Sequence, residues 1–179
     1  MIHVSEVKTT APEVYNNELQ EKVFQALAEL EIPFERVDTD EVITMEDCEN
    51  VNERLDMQMV KTLFLCDRKQ QDFYLFVTKG NKPFRAKDFS NVLEVPRVSF
   101  APAEMMEEML GTKIGAATIF SALLEGAKEV RIVVDKAVAN MEWYGCSDST
   151  TTGYMKVKTE QILQKFLPFT GRRAETIRV

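Results

Sequence analysis

The sequence predicts an α/β protein of the α+β type, with a mixed, largely antiparallel central sheet surrounded by helices. Three observations carry that prediction. Residues 60–66 and 73–78 are β-rich runs joined by the polar connector 67–72, the pattern of an antiparallel hairpin with a longer loop. Helical segments interrupt the strands irregularly, which argues against a regular βαβ alternation. With 179 residues and 45% hydrophobic content, the chain suits one domain spanning 1–179, since a domain of this length buries roughly 70% of its unfolded-chain surface.

The elements follow in order. Leu19, Val23, Leu27 and Leu30 recur at helical spacing and predict an amphipathic helix that ends near Pro33. Residues 34–37 and 41–44 read as short extended pieces, and 46–55 as a helix. The hairpin comes next, then a helix over 86–93 and a strand over 97–100. Pro102 opens a further helix, where its missing N–H costs nothing, and Gly111 stops it. Strands are expected at 129–134, 141–146 and 154–157, then a helix over 159–166 with Ile162, Leu163 and Phe166 on one face, and finally a tail over 170–179.

Composition excludes several classes of function. No apolar run approaches the ~20 residues of a membrane helix, and the first residues carry neither the basic segment nor the apolar run of a secretory signal, so no membrane association and a cytoplasmic location are expected. Cys48, Cys66 and Cys146 are odd in number and far apart, a pattern of reduced thiols rather than of disulfides or a thiolate metal cluster; no metal and no cofactor are expected. His3 is the only histidine, which leaves no material for a Ser-His or Cys-His pair. A net charge of -7 disfavours sequence-blind binding to nucleic acid but permits a local basic patch, and Lys79, Lys82, Arg85 and Lys87 form one; ordinary surface charge on a solvated turn accounts for them equally well.

Two motifs remain. Lys61 interrupts an apolar strand and should share a face with Met59, Leu63 and Leu65, where an ammonium needs a counter-charge, water or an anionic ligand. Snorkelling from the strand end is the plain alternative. The loop Gly111-Thr112-Lys113-Ile114-Gly115-Ala116-Ala117-Thr118 brackets small residues between glycines, so that successive N–H groups can cradle an oxyanion or phosphate; taken alone, a glycine-capped helix followed by a turn explains it as well. A third segment, 143–153, is dense in hydroxyls around Asp148 and Ser149 and can orient a substrate amine or sugar hydroxyl, or simply be a well-capped turn.

Taken in order, Lys61 in Val60-Lys61-Thr62-Leu63, the strand from Phe73 to Val77, the loop from Gly111 to Phe120 and the polar run from Ser147 to Thr152 resemble the YbaK/ProX family of aminoacyl-tRNA deacylases. The likeness runs from about residue 17 to the C-terminal helix. It implies a YbaK/ProX-like fold that hydrolyses, in trans, the ester between an amino acid and the wrong tRNA, most typically alanine on a tRNA for proline. It also implies the tRNA 3' end as partner, with prolyl-tRNA synthetase as a second partner to consider. Lys61, Gly115 and Ala116 are the implied catalytic positions, the lysine holding the RNA end and the two main-chain N–H groups facing the ester carbonyl. Gly111, Ala117, Thr118, Ile119, Asp148 and Ser149 are the implied substrate-binding positions, and the terminal ribose hydroxyl assists the attacking water.

The chain departs from the family pattern in three places. Ile119 stands where the loop usually ends in proline, Tyr144-Gly145 where a His-Pro pair is usual, and Asp148 where many members carry asparagine. These departures point to a second reading, a non-catalytic tRNA- or synthetase-binding module of the same fold; a third is a sensor in which the same pocket takes a free amino acid or nucleotide.

Overall fold

The computed structural model describes residues 1–179 as two sheets wrapped by short helices. Helix α1 (Glu18–Glu29) begins at Asn17, whose side chain accepts the Gln20 N–H, and buries Leu19, Val23, Phe24 and Leu27 on one face. Strand β1 (Glu35–Asp38) follows. Helix α2 (Met45–Leu55) starts in a capping box, with Thr44 and Asp47 each accepting the other's main-chain N–H.

The hairpin of β2 (Val60–Asp67) and β3 (Phe73–Lys79) is paired in register from Val60 opposite Lys79 to Cys66 opposite Phe73. Helix α3 (Ala86–Leu93) and edge strand β4 (Val98–Phe100) come next. Helix α4 (Ala103–Met105) runs directly into a π-helical turn over Met106–Leu110, which Gly111 ends in the left-handed region. Two 3-10 turns, Ile119–Leu123 and Glu125–Ala127, lead to β5 (Arg131–Asp135) and α5 (Lys136–Ala139). Strands β6 (Trp143–Ser147) and β7 (Gly153–Lys158) form a second hairpin. The chain then passes through α6 (Thr159–Gln161), a π turn over Ile162–Phe166 and α7 (Leu167–Phe169) to β8 (Ala174–Ile177).

Sheet order is β1-β7-β6 in the smaller, antiparallel sheet and β4-β2-β3-β5-β8 in the larger, where β3-β5 and β5-β8 are parallel. A single parallel bridge between Met59 and Gly145 links the two. The main core lies between α1 and both sheets, with Leu27, Val60, Val77, Val134, Met155 and Phe166 among its members. The larger sheet is covered on both faces. Phe64, Cys66 and Leu75 meet the π turn through Leu110, while Leu65, Tyr74 and Phe76 meet Phe89 of α3.

The α+β class and the first hairpin stand as expected, with the strands divided between two sheets rather than gathered in one. Two local expectations fail. Residues 41–44 are not a strand, because Val42 gives its N–H to Thr151 O outside any ladder. The tail is not unstructured. Residues 174–177 pair with β5, and the Arg131–Glu175 ion pair clamps that edge at 2.6 Å.

Candidate functional site

Lys61 lies on β2 opposite Thr78, on the face that Leu63 and Leu65 fill against α3. It is half-buried at the end of that face, and its ammonium donates to Lys82 O. The group beneath it is polar. The buried Asp135 carboxylate accepts from Thr78 Oγ1 at 2.7 Å, Lys82 Nζ at 2.8 Å and the Ala137 N–H at 3.0 Å. Burial alone would raise the Asp135 pKa, but these donors outweigh it and hold the carboxyl below its ordinary value. Lys61 is therefore positioned by a turn that Asp135 fixes.

The loop 111–119 leaves the opposite face of the same sheet. Leu110 packs with Phe64 and Leu75, and Ile119 and Phe120 return into the main core with Val60 and Val77. Gly111 has φ 67°, a left-handed conformation that favours glycine, and a Cβ there would also displace the tip of the Leu124 side chain. Ser121 ties the loop's two ends by donating to Leu110 O at 2.6 Å. At the start of the loop the Gly111 N–H is engaged by Glu107 O at 3.1 Å, and inside it the Ala116 N–H by Lys113 O at 3.0 Å. The N–H groups of Gly115, Ala117, Thr118 and Ile119 have no acceptor in the chain, although Thr118 and Ile119 are fully buried. Gly115 is exposed and Ala117 partly so, and their donors face solvent, whereas buried main-chain donors are nearly always paired, so the free ones of Thr118 and Ile119 mark a place where something else accepts.

The polar turn after β6 is the reverse case. Asp148 Oδ1 accepts from the Thr150 N–H and hydroxyl at 3.0 and 2.7 Å, and Oδ2 accepts from Gln20 Nε2 at 2.8 Å. Its side chain is buried, which pushes its pKa up against the lowering effect of the Thr150 and Gln20 donors. Gly153 lies so close to the Asp148 carboxylate that a Cβ there would collide with it. Ser149, at φ 97°, donates from Oγ to Asn17 Oδ1 at 3.1 Å. Both residues point into the start of α1. Cys146, buried beside Thr118, has its thiol pKa pushed far up by burial, which makes it a packing residue.

Register brings these segments to one end of the molecule. Gly115 lies 3.8 Å, measured from its would-be Cβ, from the Thr151 γ-methyl. Met59 bridges Gly145 in parallel, so Lys61 and Ser147 each stand two residues beyond the bridge. The structure thus unites the loop with the polar turn, and joins the strand of Lys61 to the strand leading into that turn. No hydrogen bond connects Lys61 itself to either. Clefts of about 690 and 460 Å³ lie elsewhere: the larger is behind the polar turn, lined by Lys8, Asn16, Gln20, Arg36 and Thr152, and neither is lined by Lys61 or the 111–119 loop. No cluster of His, Cys, Asp or Glu is placed to hold a metal ion, and no helix is long and apolar enough to cross a membrane.

The role of Gln20 was beyond sequence reasoning, because its partner Asp148 is 128 positions away. So was that of Asp135, whose only local signal is a carboxylate closing an apolar strand. Solved structures support the same architecture. The hypothetical protein APE2540 superposes with a TM-score of 0.64 at 16% identity, covering 87% of this chain and 98% of its own. A proposed trans-editing enzyme for prolyl tRNA synthetase superposes with a TM-score of 0.64 at 15% identity, covering 92% and 99%. The prolyl-tRNA editing protein ProX of Acetoanaerobium sticklandii is 30% identical over 118 residues, 65% of this chain and 71% of that protein. Residues 39–165 match the model of the aminoacyl-tRNA editing domain, a span that contains Lys61, the 111–119 loop and the polar turn, and the chain belongs to that family.

Proposed function

We propose that the protein is a hydrolase that deacylates mischarged tRNA in trans, with alanine on a tRNA for proline as its substrate. The observation that carries this reading is the run of unpaired main-chain N–H groups in the 111–119 loop. Water adds to the ester carbonyl, the carbonyl oxygen becomes an oxyanion facing those donors, and the ester C–O bond breaks to leave a ribose hydroxyl and a free amino acid. Donors already aimed at the developing charge lower the barrier by about 3 kcal/mol each in comparable sites. No covalent intermediate on the protein is needed, in keeping with the single histidine and the inert Cys146 thiol.

The resemblance assigned the donors to Gly115 and Ala116. In the structure the Ala116 N–H is engaged within the turn, so the proposed set is Gly115, Ala117 and Thr118. Ala116 and Ala117 act as the small wall that admits a methyl side chain and excludes a ring by clash. Lys61 is the anchor for the phosphate at the RNA end. Asp148 and Ser149, whose side chains are occupied by Gln20, Thr150 and Asn17, hold the turn against Gly115 and do not touch substrate.

Incubation with alanyl-, cysteinyl-, seryl- and prolyl-charged tRNAs, beside Lys61→Ala, tests the reading. Release of alanine from the tRNA for proline, lost in the variant, is expected. Binding without release of any amino acid would instead establish the non-catalytic module that Ile119, Tyr144 and Gly145 bring to mind.

A further inference from the structure

Four cations, Lys79, Lys82, Arg85 and Lys87, lie within ten residues that hold a single carboxylate, Asp88, in a chain whose net charge is -7. The structure gives this stretch a form that composition could not. Lys82 is pinned to Asp135 at 2.8 Å, its carbonyl receives the Lys61 ammonium, and Gly80 lies so flat on Met59 O that a Cβ would collide with it. The turn is thus rigid and fastened to the start of β2. Lys79, Arg85 and Lys87 remain without any ion pair, and Arg85 and Lys87 are exposed.

An exposed aromatic stands beside them. Phe100, on edge strand β4, is 63% exposed, and its ring centre is 5.7 Å from that of Phe84 in the basic turn. Phe84 itself is backed by Phe76 and Phe89 at 6.0 and 6.2 Å, so the pair is a braced platform. Unpaired cations next to a supported, solvent-facing ring suit a flexible polyanion carrying flat bases.

We infer that the turn 79–87 with Phe100 is the surface that receives the RNA backbone leading to the acylated end. This rests on the hydrolase reading above and extends it from the ester to the nucleic acid behind it. Lys79, Arg85 and Lys87 meet phosphates, Phe100 stacks an unpaired base, and Lys61, tied to the same turn, takes the phosphate next to the ester. The chain's net charge of -7 disfavours sequence-blind attachment of RNA, so binding depends on a local cluster of unpaired cations such as this one.

The test compares the wild type, Lys61→Ala, Phe100→Ala and the triple variant Lys79→Gln, Arg85→Gln, Lys87→Gln. Substrates are a mischarged tRNA and a minimal aminoacyl ester of adenosine, and binding of uncharged tRNA is titrated at several salt concentrations. For the triple variant, KM for tRNA should rise about tenfold with kcat unchanged. The slope of log binding constant against log salt should flatten by roughly 2, at about 0.7 per phosphate lost from a single strand. Hydrolysis of the minimal ester should be unaltered, and Phe100→Ala should raise KM with no change in salt slope. A triple variant that keeps the wild-type slope and affinity overturns the surface. If the slope flattens while wild type and Lys61→Ala hydrolyse nothing, the surface stands and the hydrolase reading falls.

Discussion

The loop 111–119 and the turn 147–152 lie against each other through Gly115 and Thr151, yet they solve the problem of main-chain polarity in opposite ways. Almost every donor in the turn is met from within: Ser147 Oγ bonds Thr150 O, the Ser149 N–H bonds Ser147 Oγ, and Thr150 bonds Asp148 twice. The loop leaves most of its donors open, tied at its ends by Glu107, Leu110, Thr118 and Ser121 and inside by the single bond from Ala116 to Lys113. A saturated turn is scaffold, and an unsaturated loop between fixed ends is prepared for a ligand. It follows that substitutions in the turn should act on stability, and substitutions at the ligand-facing groups on turnover.

The largest effect should come from Lys61→Ala. Loss of the phosphate anchor should reduce kcat/KM for mischarged tRNA by about a hundredfold or more, since misplacement of the reacting end is costly. The half-buried side chain makes one hydrogen bond, so the melting temperature should stay within a few degrees of the wild type. A variant that melts far lower would make Lys61 scaffold and erase the contrast.

Gly153→Ala probes the scaffold side. The new methyl collides with the Asp148 carboxylate, and backbone and Gln20 must shift to relieve it. A loss of about 3 kcal/mol in urea unfolding is expected, typical of overpacking beside a buried charged group. Asp135→Asn should cost about 2 kcal/mol, less than a fully buried pair because the Lys82 side chain is partly exposed. It should also raise KM for tRNA by loosening the turn that holds Lys61. For the wild type, the Asp135 pKa is lowered in the folded state, so its stabilisation is present above the ordinary carboxylate range and is lost as pH falls through the lowered value.

Asp148 has the opposite sign. Its folded pKa is raised by burial, so its ionisation opposes folding at neutral pH, and the penalty disappears as pH falls through the raised value. Melting curves of Asp148→Asn and wild type should therefore differ in the variant's favour more at pH 7 than at pH 4. A constant difference would mean that the Thr150 and Gln20 donors fully offset burial.

Much of this contrast could be read before the structure, and the boundary is physical. The hairpin announces itself through local alternation, and α1 through Leu19, Val23 and Leu27. Strand β8 does not: Ala174, Glu175 and Thr176 carry no apolar pattern, and the strand exists because β5 offers an open edge and Arg131 a partner for Glu175. The glycine bracket signalled the loop, but which N–H groups stay free depends on the turn closed by Lys113 and Ala116. Asp148 stood out by composition. Its burial against Gly153 and its link to Gln20 are tertiary facts.

The smallest expected effect on turnover sharpens the comparison most, because it separates one open donor from its neighbours. Ile119 stands where the family usually has proline, and its N–H is free, so proline removes no hydrogen bond there. Thr118 is already extended, at φ -151° and ψ 149°, as a residue before proline must be, and position 119 begins a 3-10 turn where proline is tolerated. Ile119→Pro should keep kcat within about threefold while costing roughly 1–2 kcal/mol of stability for the lost burial of the isoleucine side chain. Turnover that survives assigns the oxyanion to Gly115, Ala117 and Thr118. A hundredfold fall, without unfolding, would make the 119 donor part of the machinery and this chain a member whose loop works differently from its proline-bearing relatives.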